Sequence, residues 1–388
     1  MHADDLRTAA AGMLDRNWDD ARGYCVPNPD TYPHLWLWDS CFHAVVWARL
    51  GDPRAARELD EVLAGQLPGG MVPHMRYGAE GPDAWLGPLP GTSSITQPPV
   101  FGHAARALAD QGVAVSADTL EKARRGLDWL WEHRRTDDDL LFIVHPWEAG
   151  NDHSPRWDGW GGPGRTPADY DRAARSQWNK DLMGAVSFDD AGAAVWSSRF
   201  VAAPAGFNAY SAFAMAELAQ VTGDDELAGR ARRIAAAMDA RLWDPAQNLW
   251  NDLALVGGAE DGGTGDIPAS DGVMGALVTA DGEKAQAALR QLREPERFGA
   301  PFGPANVART HPSYDPRSYW RGPAWPQLSY LFGIALRRWG LDADADEVVR
   351  AARAVAERGE WPEYWDPETG DALGAAPQSW TALAAAMP

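Results

Sequence analysis

Cysteine, basic charge and long apolar runs are all scarce in this chain, and each scarcity removes a class of protein. Only 2 of the 388 residues are cysteine, Cys25 and Cys41. That is too few for a disulfide framework or a cysteine-built zinc cluster, and both read as small buried thiols. No stretch of about 18 apolar residues occurs, which excludes a membrane-spanning helix. The N-terminal MHADDLRTAA lacks a basic segment followed by an apolar one, so no signal peptide is read and the expected location is cytoplasmic. Lys and Arg number 35 against 55 Asp and Glu, a net charge of −20. Such a chain repels phosphate backbones, so neither nucleic acid nor an anionic membrane is an expected partner. There is also no HExxH helix, no GxxxxGK[ST] and no GxSxG elbow, and the one GxGxxG match, GWGGPG at 159–164, follows a loop rather than a strand.

What the chain has in excess is tryptophan, 20 residues, where an average protein carries about 1–2%. Indole offers a broad apolar face and one N–H donor, which suits a ligand with C–H faces and hydroxyl edges, such as a sugar. Core packing claims the same rings, and for any one of them both readings stay open. Apolar residues recur at three- and four-residue spacing with almost no alternating pattern, so the fold class is all-α. Helices are expected at roughly 3–16, 39–51, 53–66, 99–112, 117–134, 167–183, 204–221, 224–242, 281–294, 322–339, 345–358 and 377–387. Asp52-Pro53, Ser116 with Asp118, and Asp344 mark starts. Joined by short turns, these helices make six antiparallel pairs that can close into a ring, an (α/α)6 barrel. No low-complexity linker interrupts the chain, so residues 1–388 are expected to form a single domain.

The connections differ in character. Gly51-Asp52 is a short turn, whereas 31–40, 68–77, 87–99, 145–164, 314–325 and 361–374 are long, rich in Gly, Pro and Trp, and carry nearly all the polar-aromatic clusters. In an alternating ring such loops share one end and wall one pocket, where function collects. The loop 257–272 is rich in Gly and Asp, and its acids do not follow EF-hand spacing, so it reads as solvated. Hydrolysing a glycosidic bond needs two carboxyl groups. Asp152, in WEAGNDHSPRWD, is flanked by Trp147, Trp157 and Trp160, an apolar setting that keeps the proton an acid must donate. Glu363, in PEYWDPETG, also lies between aromatic rings. The competing reading of both is a residue that starts a turn. His34, His74 and His145 lie in the aromatic loops, where hydrogen bonds to hydroxyls or backbone suit them better than zinc. No metal and no cofactor is expected.

The blocks WLWDSCFHA, GGMVPHM, ITQPP, WEAGNDHSPRWD, FNAYSAFAMAELA, YWRGPAW, EYWDPETG and PQSW follow one another over residues 36–380. In identity and order they resemble those of glycoside hydrolase family 63, particularly its bacterial glucosylglycerate and mannosylglycerate hydrolases. The resemblance implies an (α/α)6 barrel related to the trehalases and hydrolysis, with inversion, of a small α-glucoside or α-mannoside such as glucosylglycerate, mannosylglycerate or a short disaccharide. It implies Asp152 as general acid and Glu363 as general base. Trp36, Trp38 and Asp39, with Gln97 nearby, would hold the sugar whose bond is cut. Tyr319, Trp320, Arg321, Trp325 and Gln378 would form further wall, with core packing a competitor for Trp36 and Trp325. Tyr32, Tyr77, Trp147 and Gly150, from the same loops, complete the expected site. An acidic aglycone would need a cation, for which Arg76, Arg172, Arg175 and Arg321 are the candidates. The chain departs from these relatives in its shorter length and at His153, where they often carry Asn, and both departures bear on the leaving group. A carbohydrate-binding protein on a silent barrel stays open, as does a sugar epimerase or uronide hydrolase on the same ring. So does a homo-oligomer, for which exposed tryptophans would mark the surface.

Overall fold

A computed structural model describes residues 3–78, 86–161, 166–258 and 267–387. Parts of two expected loops, 162–165 with the end of GWGGPG and 259–266 of the Gly/Asp-rich stretch, lie outside the described residues. The described chain is mostly helical. Its α-helices are α1 (Ala3–Asn17), α2 (Leu37–Leu50), α3 (Arg54–Ala64), α4 (Phe101–Asp110), α5 (Ala117–His133), α6 (Arg172–Met183), α7 (Ala205–Thr222), α8 (Asp225–Arg241), α9 (Gly282–Arg290), α10 (Pro326–Arg338) and α11 (Asp342–Ala356).

Two kinds of helix alternate, and side-chain chemistry separates them. Every residue of α2 from Leu37 to Ala48 is buried, and α7 is buried from Ala205 to Met215; a helix apolar on all sides belongs inside. On α3 burial is confined to Ala55, Glu58, Leu59, Val62 and Leu63, the single stripe of a helix with one face in water. The inner segments touch in succession. α2 packs on α4, α4 on α7, and α7 on a 3-10 helix at Ser270–Leu277; that helix packs on α10, α10 on a second 3-10 helix at Ser379–Ala385, and the last returns to α2. Each inner segment also meets an outer helix: α2 meets α3, α7 meets α8, and α10 meets α11. The turns between these pairs use glycine where the backbone goes left-handed, as at Gly51 (φ 76°) and Gly223 (φ 73°). The Asp224 carboxylate then caps α8 by accepting the Leu227 N–H at 2.9 Å.

The structure departs from the sequence expectation in definite places. Of the expected helix at 377–387, Ser379–Ala385 form a 3-10 helix rather than an α-helix, and α6 starts at Arg172 rather than 167 because Asp171 caps it there. Ser270–Leu277 falls partly in a stretch read as a solvated loop, yet it is wholly buried. Its two glycines hide the helical period, and they are there because a Cβ at Gly272 or Gly275 would strike the Trp250 carbonyl or ring. Six two-stranded antiparallel ladders also appear among the described residues, most only two residues long, too short to leave an alternating pattern. The tryptophans are mostly interior: Trp47, Trp129, Trp157, Trp250 and Trp365 are fully buried, and Trp196 and Leu255 are the exposed large hydrophobics among the described residues. Among those residues no helix is long and apolar enough to cross a membrane.

One buried ion pair ties the loop after α5 to the helical body. Arg134 donates to both Glu148 oxygens, at 2.9 and 2.7 Å, and Glu148 also accepts the Val144 and Thr96 N–H groups at 2.7 and 3.2 Å. Both side chains have no solvent exposure. Removing one partner leaves the other charged and unpaired in the interior. Glu148→Ala is therefore expected to lower unfolding free energy by about 3–5 kcal/mol, read as a fall in the urea midpoint at unchanged m-value.

Candidate active site

The long connections converge on one cavity of about 250 Å³. Its wall includes Tyr32, Trp36, Trp38, Asp39, Gln97, Trp147, Gly150, Asp152, Arg172, Tyr319, Glu363 and Gln378. His74, His153, Ser176 and Trp380 line it as well.

Asp152 is set by a loop that is pinned on two sides. Arg175 and Arg321 share the Asp158 carboxylate; Arg321 reaches its oxygens at 2.8 and 3.3 Å. Terminal N–H groups of the two also hold the backbone around Asp152: Arg175 donates to the Ser154 and Asp152 carbonyls (3.0 and 3.4 Å), and Arg321 to the His153 carbonyl (3.4 Å). On the other side Arg156 binds Asp252 and Asp271, and Asn151 donates to Asp271 at 3.0 Å. The Asp152 side chain accepts the Trp147 indole N–H at 3.2 Å on Oδ2. Burial pushes its pKa up to about 6, against the pull of Arg175 and Arg172.

Glu363 is set by a different device. It precedes a two-residue ladder in which Tyr364 and Trp365 pair with Leu373 and Ala372. Its N–H donates to the Ala375 carbonyl at 2.8 Å, and its Oε2 accepts the Ala375 N–H at 3.0 Å. Gly374 (φ 74°) makes this possible, since a Cβ there would lie 2.5 Å from Glu363 Oε2. Oε1 accepts the Tyr32 hydroxyl at 3.1 Å. Tyr32 is placed by a turn in which Asn28 Oδ1 accepts the Asp30 and Thr31 N–H groups. Burial raises Glu363 to about 7, with Asp152 adding to the shift and Arg172 opposing it. Burial thus raises both carboxyls, and they titrate close together. Their surroundings differ. Both Glu363 oxygens face a donor, which favours the ionised form, whereas Asp152 has its donors on Oδ2.

Asp39 is buried in the first turn of α2, and burial together with Glu363 raises its pKa. Gln97 Oε1 accepts the Trp38 N–H at 3.4 Å, which leaves its amide nitrogen as a donor. Gly150 (φ 77°) lets the backbone run against the Trp38 ring, 2.7 Å from where a Cβ would sit. Trp147 stacks on His74, which burial holds neutral with its pKa lowered to about 3. Arg172, exposed at the rim, lies 4.8 Å from the Tyr319 ring and has no carboxylate partner among the described residues. Among those residues no three His, Cys, Asp or Glu side chains converge as a metal site would require.

Five expected wall residues are placed elsewhere. Arg175 and Arg321 lie behind the wall on Asp158. Trp320 and Trp325 stack on each other at 3.6 Å, 2% and 1% exposed, and back the wall instead of facing the cavity. Tyr77 is buried beside it, its hydroxyl donating to the Thr92 carbonyl at 2.7 Å. Of the other candidates, Arg76 is paired with Glu61, and His145 bonds only backbone, the Asn179 carbonyl and the Trp147 N–H. Ser176 and Trp380 escaped the sequence reading. Ser176 lies one turn beyond Arg172 on the same helical face, and Trp380 is two residues past Gln378.

A family model described as the mannosylglycerate hydrolase MGH1-like glycoside hydrolase domain matches residues 32–381. The chain belongs to this family. The MGH1-like chain is 31% identical to the mannosylglycerate hydrolase of Rubrobacter radiotolerans, over 98% of its own length and 95% of that protein. It is 30% identical to the glucosylglycerate hydrolase of Mycolicibacterium hassiacum, over 98% and 96% of the two chains. Among solved structures, the family 63 mannosylglycerate hydrolase of Thermus thermophilus in complex with Tris and D-glycerate superposes with a TM-score of 0.83 at 29% identity, covering 98% and 99% of the two chains. The protein is a glycoside hydrolase of family 63.

The raised carboxyls give this MGH1-like hydrolase a pH signature. Glu363 binds its proton more tightly folded (about 7) than unfolded (4.5). The folded state is favoured where that proton is bound, and stability falls as pH rises through this window. Glu363→Gln removes the part of the dependence that Glu363 carries, leaving that of Asp152 and Asp39. The variant is expected to be more stable than the parent by ~3 kcal/mol at about pH 8, with the gap closing toward about pH 4.5, as read by thermal or urea unfolding at both pH values.

Proposed function

We propose that this glycoside hydrolase is an inverting α-glycosidase whose substrate is a hexose joined to glycerate, and that its helix pairs form a single (α/α)6 barrel over residues 1–388. The observation that carries the substrate is one cavity holding two proton-exchanging carboxyls and, at its rim, a guanidinium without a carboxylate partner among the described residues. Of the four arginine candidates, only Arg172 is both at the wall and open to a ligand; a bidentate fork on glycerate's carboxylate suits its geometry. The names of the relatives, and the glycerate bound in the Thermus structure, support the same aglycone. The succession of inner contacts that begins and ends on α2 supports the barrel.

In this reading Asp152 gives its proton to the glycosidic oxygen as the C–O bond breaks. Glu363, oriented by Tyr32 and the Ala375 N–H, takes a proton from the water that attacks the anomeric carbon from the opposite face. Asp39 accepts sugar hydroxyls and Gln97 donates to one, while the faces of Trp36, Trp38 and Trp380 carry the C–H side of the ring.

Glucosylglycerate, mannosylglycerate and neutral α-disaccharides, followed by proton NMR, test the reading. Release of the β-anomer first is the expected result, and α-anomer first overturns inversion. Asp152→Asn and Glu363→Gln should each lower kcat by at least about 100-fold. Arg172→Ala should raise KM for the glycerate glycoside about 10–100-fold, the worth of a charge-assisted hydrogen bond, and leave a methyl α-glycoside nearly unaffected. Equal losses on both substrates would remove Arg172 from the aglycone site.

A further inference from the structure

Behind the carboxyl given the acid role stands a short chain of hydrogen bonds that the hydrolytic steps above do not use. His153 Nε2 lies 3.3 Å from Asp152 Oδ2, and His153 Nδ1 is bonded to the Tyr170 hydroxyl. The imidazole is clamped edge-on to Tyr319, with centroids 5.3 Å apart at 84°. Tyr170 immediately precedes Asp171, whose carboxylate caps α6 by accepting the Ala173 and Ala174 N–H groups at 2.8 and 3.1 Å. The Arg321 guanidinium lies 4.3 Å over the Tyr170 ring.

The charged groups that face His153 are Arg172 and Arg175 from α6, Arg321 from the 314–325 connection, Asp158 paired with the last two, and Asp152 itself. Burial and the three cations hold the imidazole neutral. A neutral imidazole has one N–H, and which nitrogen carries it depends on the bond made by the other. If Tyr170 donates to Nδ1, the N–H is on Nε2 and points at Asp152 Oδ2. Oδ2 already accepts the Trp147 indole N–H. With two donors on Oδ2, the proton of the acid goes to Oδ1. In the opposite tautomer Nε2 offers a lone pair, and the acid's proton sits on Oδ2, hydrogen-bonded to the imidazole and turned away from the substrate.

We propose that Tyr170 and His153 are positioning residues that select the oxygen of Asp152 on which the catalytic proton rides. The pair holds it on Oδ1, away from the imidazole. The Arg321 cation over the Tyr170 ring draws electron density from the hydroxyl and favours it as the donor. The inference rests on Asp152 being the general acid, and the test separates the two claims.

Two substrates distinguish them: an α-glycosyl glycerate, whose alkoxide must be protonated to leave, and the matching α-glycosyl fluoride, which leaves with little help. Tyr170→Phe and His153→Ala are expected to lower kcat on the glycerate glycoside about tenfold at nearly constant KM, while kcat on the fluoride changes less than about twofold. Loss of the Nε2–H donor also destabilises the Asp152 carboxylate, so the basic limb of kcat/KM on the glycerate glycoside should move to higher pH. His153→Asn, which restores an N–H donor beside the acid, should recover part of kcat. Equal losses on both substrates in folded variants, or no loss on either, overturn the proposal. Asp152→Asn is the reference: if it spares the glycerate glycoside, the acid assignment itself fails. If it fells that substrate selectively while the Tyr170 and His153 variants do not, only the positioning role fails.

Discussion

Two guanidiniums meeting one carboxylate in a protein interior leave a surplus of positive charge, and the loop that carries Asp152 is built around that surplus. Arg175 comes from α6, Arg321 from the connection before α10, and Asp158 from the loop itself, so three distant stretches of chain are drawn to one point. Buried charges of this kind need hydrogen bonds beyond the ion pair. Here terminal N–H groups of both arginines close on the carbonyls of Asp152, His153 and Ser154. Asp152 is therefore fixed through its backbone, while its side chain has the Trp147 indole donor and the His153 ring as neighbours. Arg156, bound to Asp252 and Asp271, anchors the same loop against the stretch after α8 and the 3-10 helix at Ser270–Leu277. Fixing the main chain and leaving the carboxyl lightly bonded is what a proton donor requires, because a carboxylate saturated with hydrogen bonds would not hold its proton.

Glu363, the base in the proposed reading, is supported in the opposite way. Glu363 is held by its side chain, with one oxygen on Tyr32 and the other on the Ala375 N–H. Three carboxyls, Asp39, Asp152 and Glu363, stand in one apolar cavity, each with its pKa raised by burial. The fold gives up stability at neutral pH to keep them there, and Arg172 at the rim is the nearest counterweight at the wall. An anion entering beside Arg172 neutralises that cation and raises the proton affinity of the carboxyls further. In the proposed reading an acidic aglycone would thus raise the proton affinity of Asp152, a coupling a neutral sugar would lack.

How much of this could be read from the residues depended on what kind of fact was needed. Helices such as α3, α5 and α11 show a one-faced apolar stripe and were legible within a few residues. Ser270–Leu277 and Ser379–Ala385 were not legible as the 3-10 helices they are, because short buried segments with small residues have no amphipathic period to read. Asp152, Glu363, Asp39 and Gln97 could be named because each stands in a block whose order along the chain matches the family. The error in Arg175, Arg321, Trp320 and Trp325 has one cause: a block such as YWRGPAW tells that its residues are near a site but not which of them face it. Only Tyr319 of that block reaches the cavity.

The reason lies in the backbone at Trp320, whose φ of 60° is left-handed, a conformation that costs a non-glycine residue about 1–2 kcal/mol. That twist turns neighbouring side chains to different sides. Tyr319 goes to the cavity beneath Arg172, Trp320 goes inward to stack on Trp325, and Arg321 goes to Asp158. The strain is offset by aromatic packing that continues from Trp325 to Tyr364 (4.6 Å, 26°), the residue after Glu363. Through this stack the connection that steadies the acid loop also backs the ladder that carries the base. Asp152 and Glu363 are 211 positions apart in sequence, yet the stretches that carry them both lean on the same seven-residue turn. The tryptophans thus divide into two layers. Trp36, Trp38, Trp147 and Trp380 line the cavity, while Trp320 and Trp325 pack behind it against Tyr364 and Trp380.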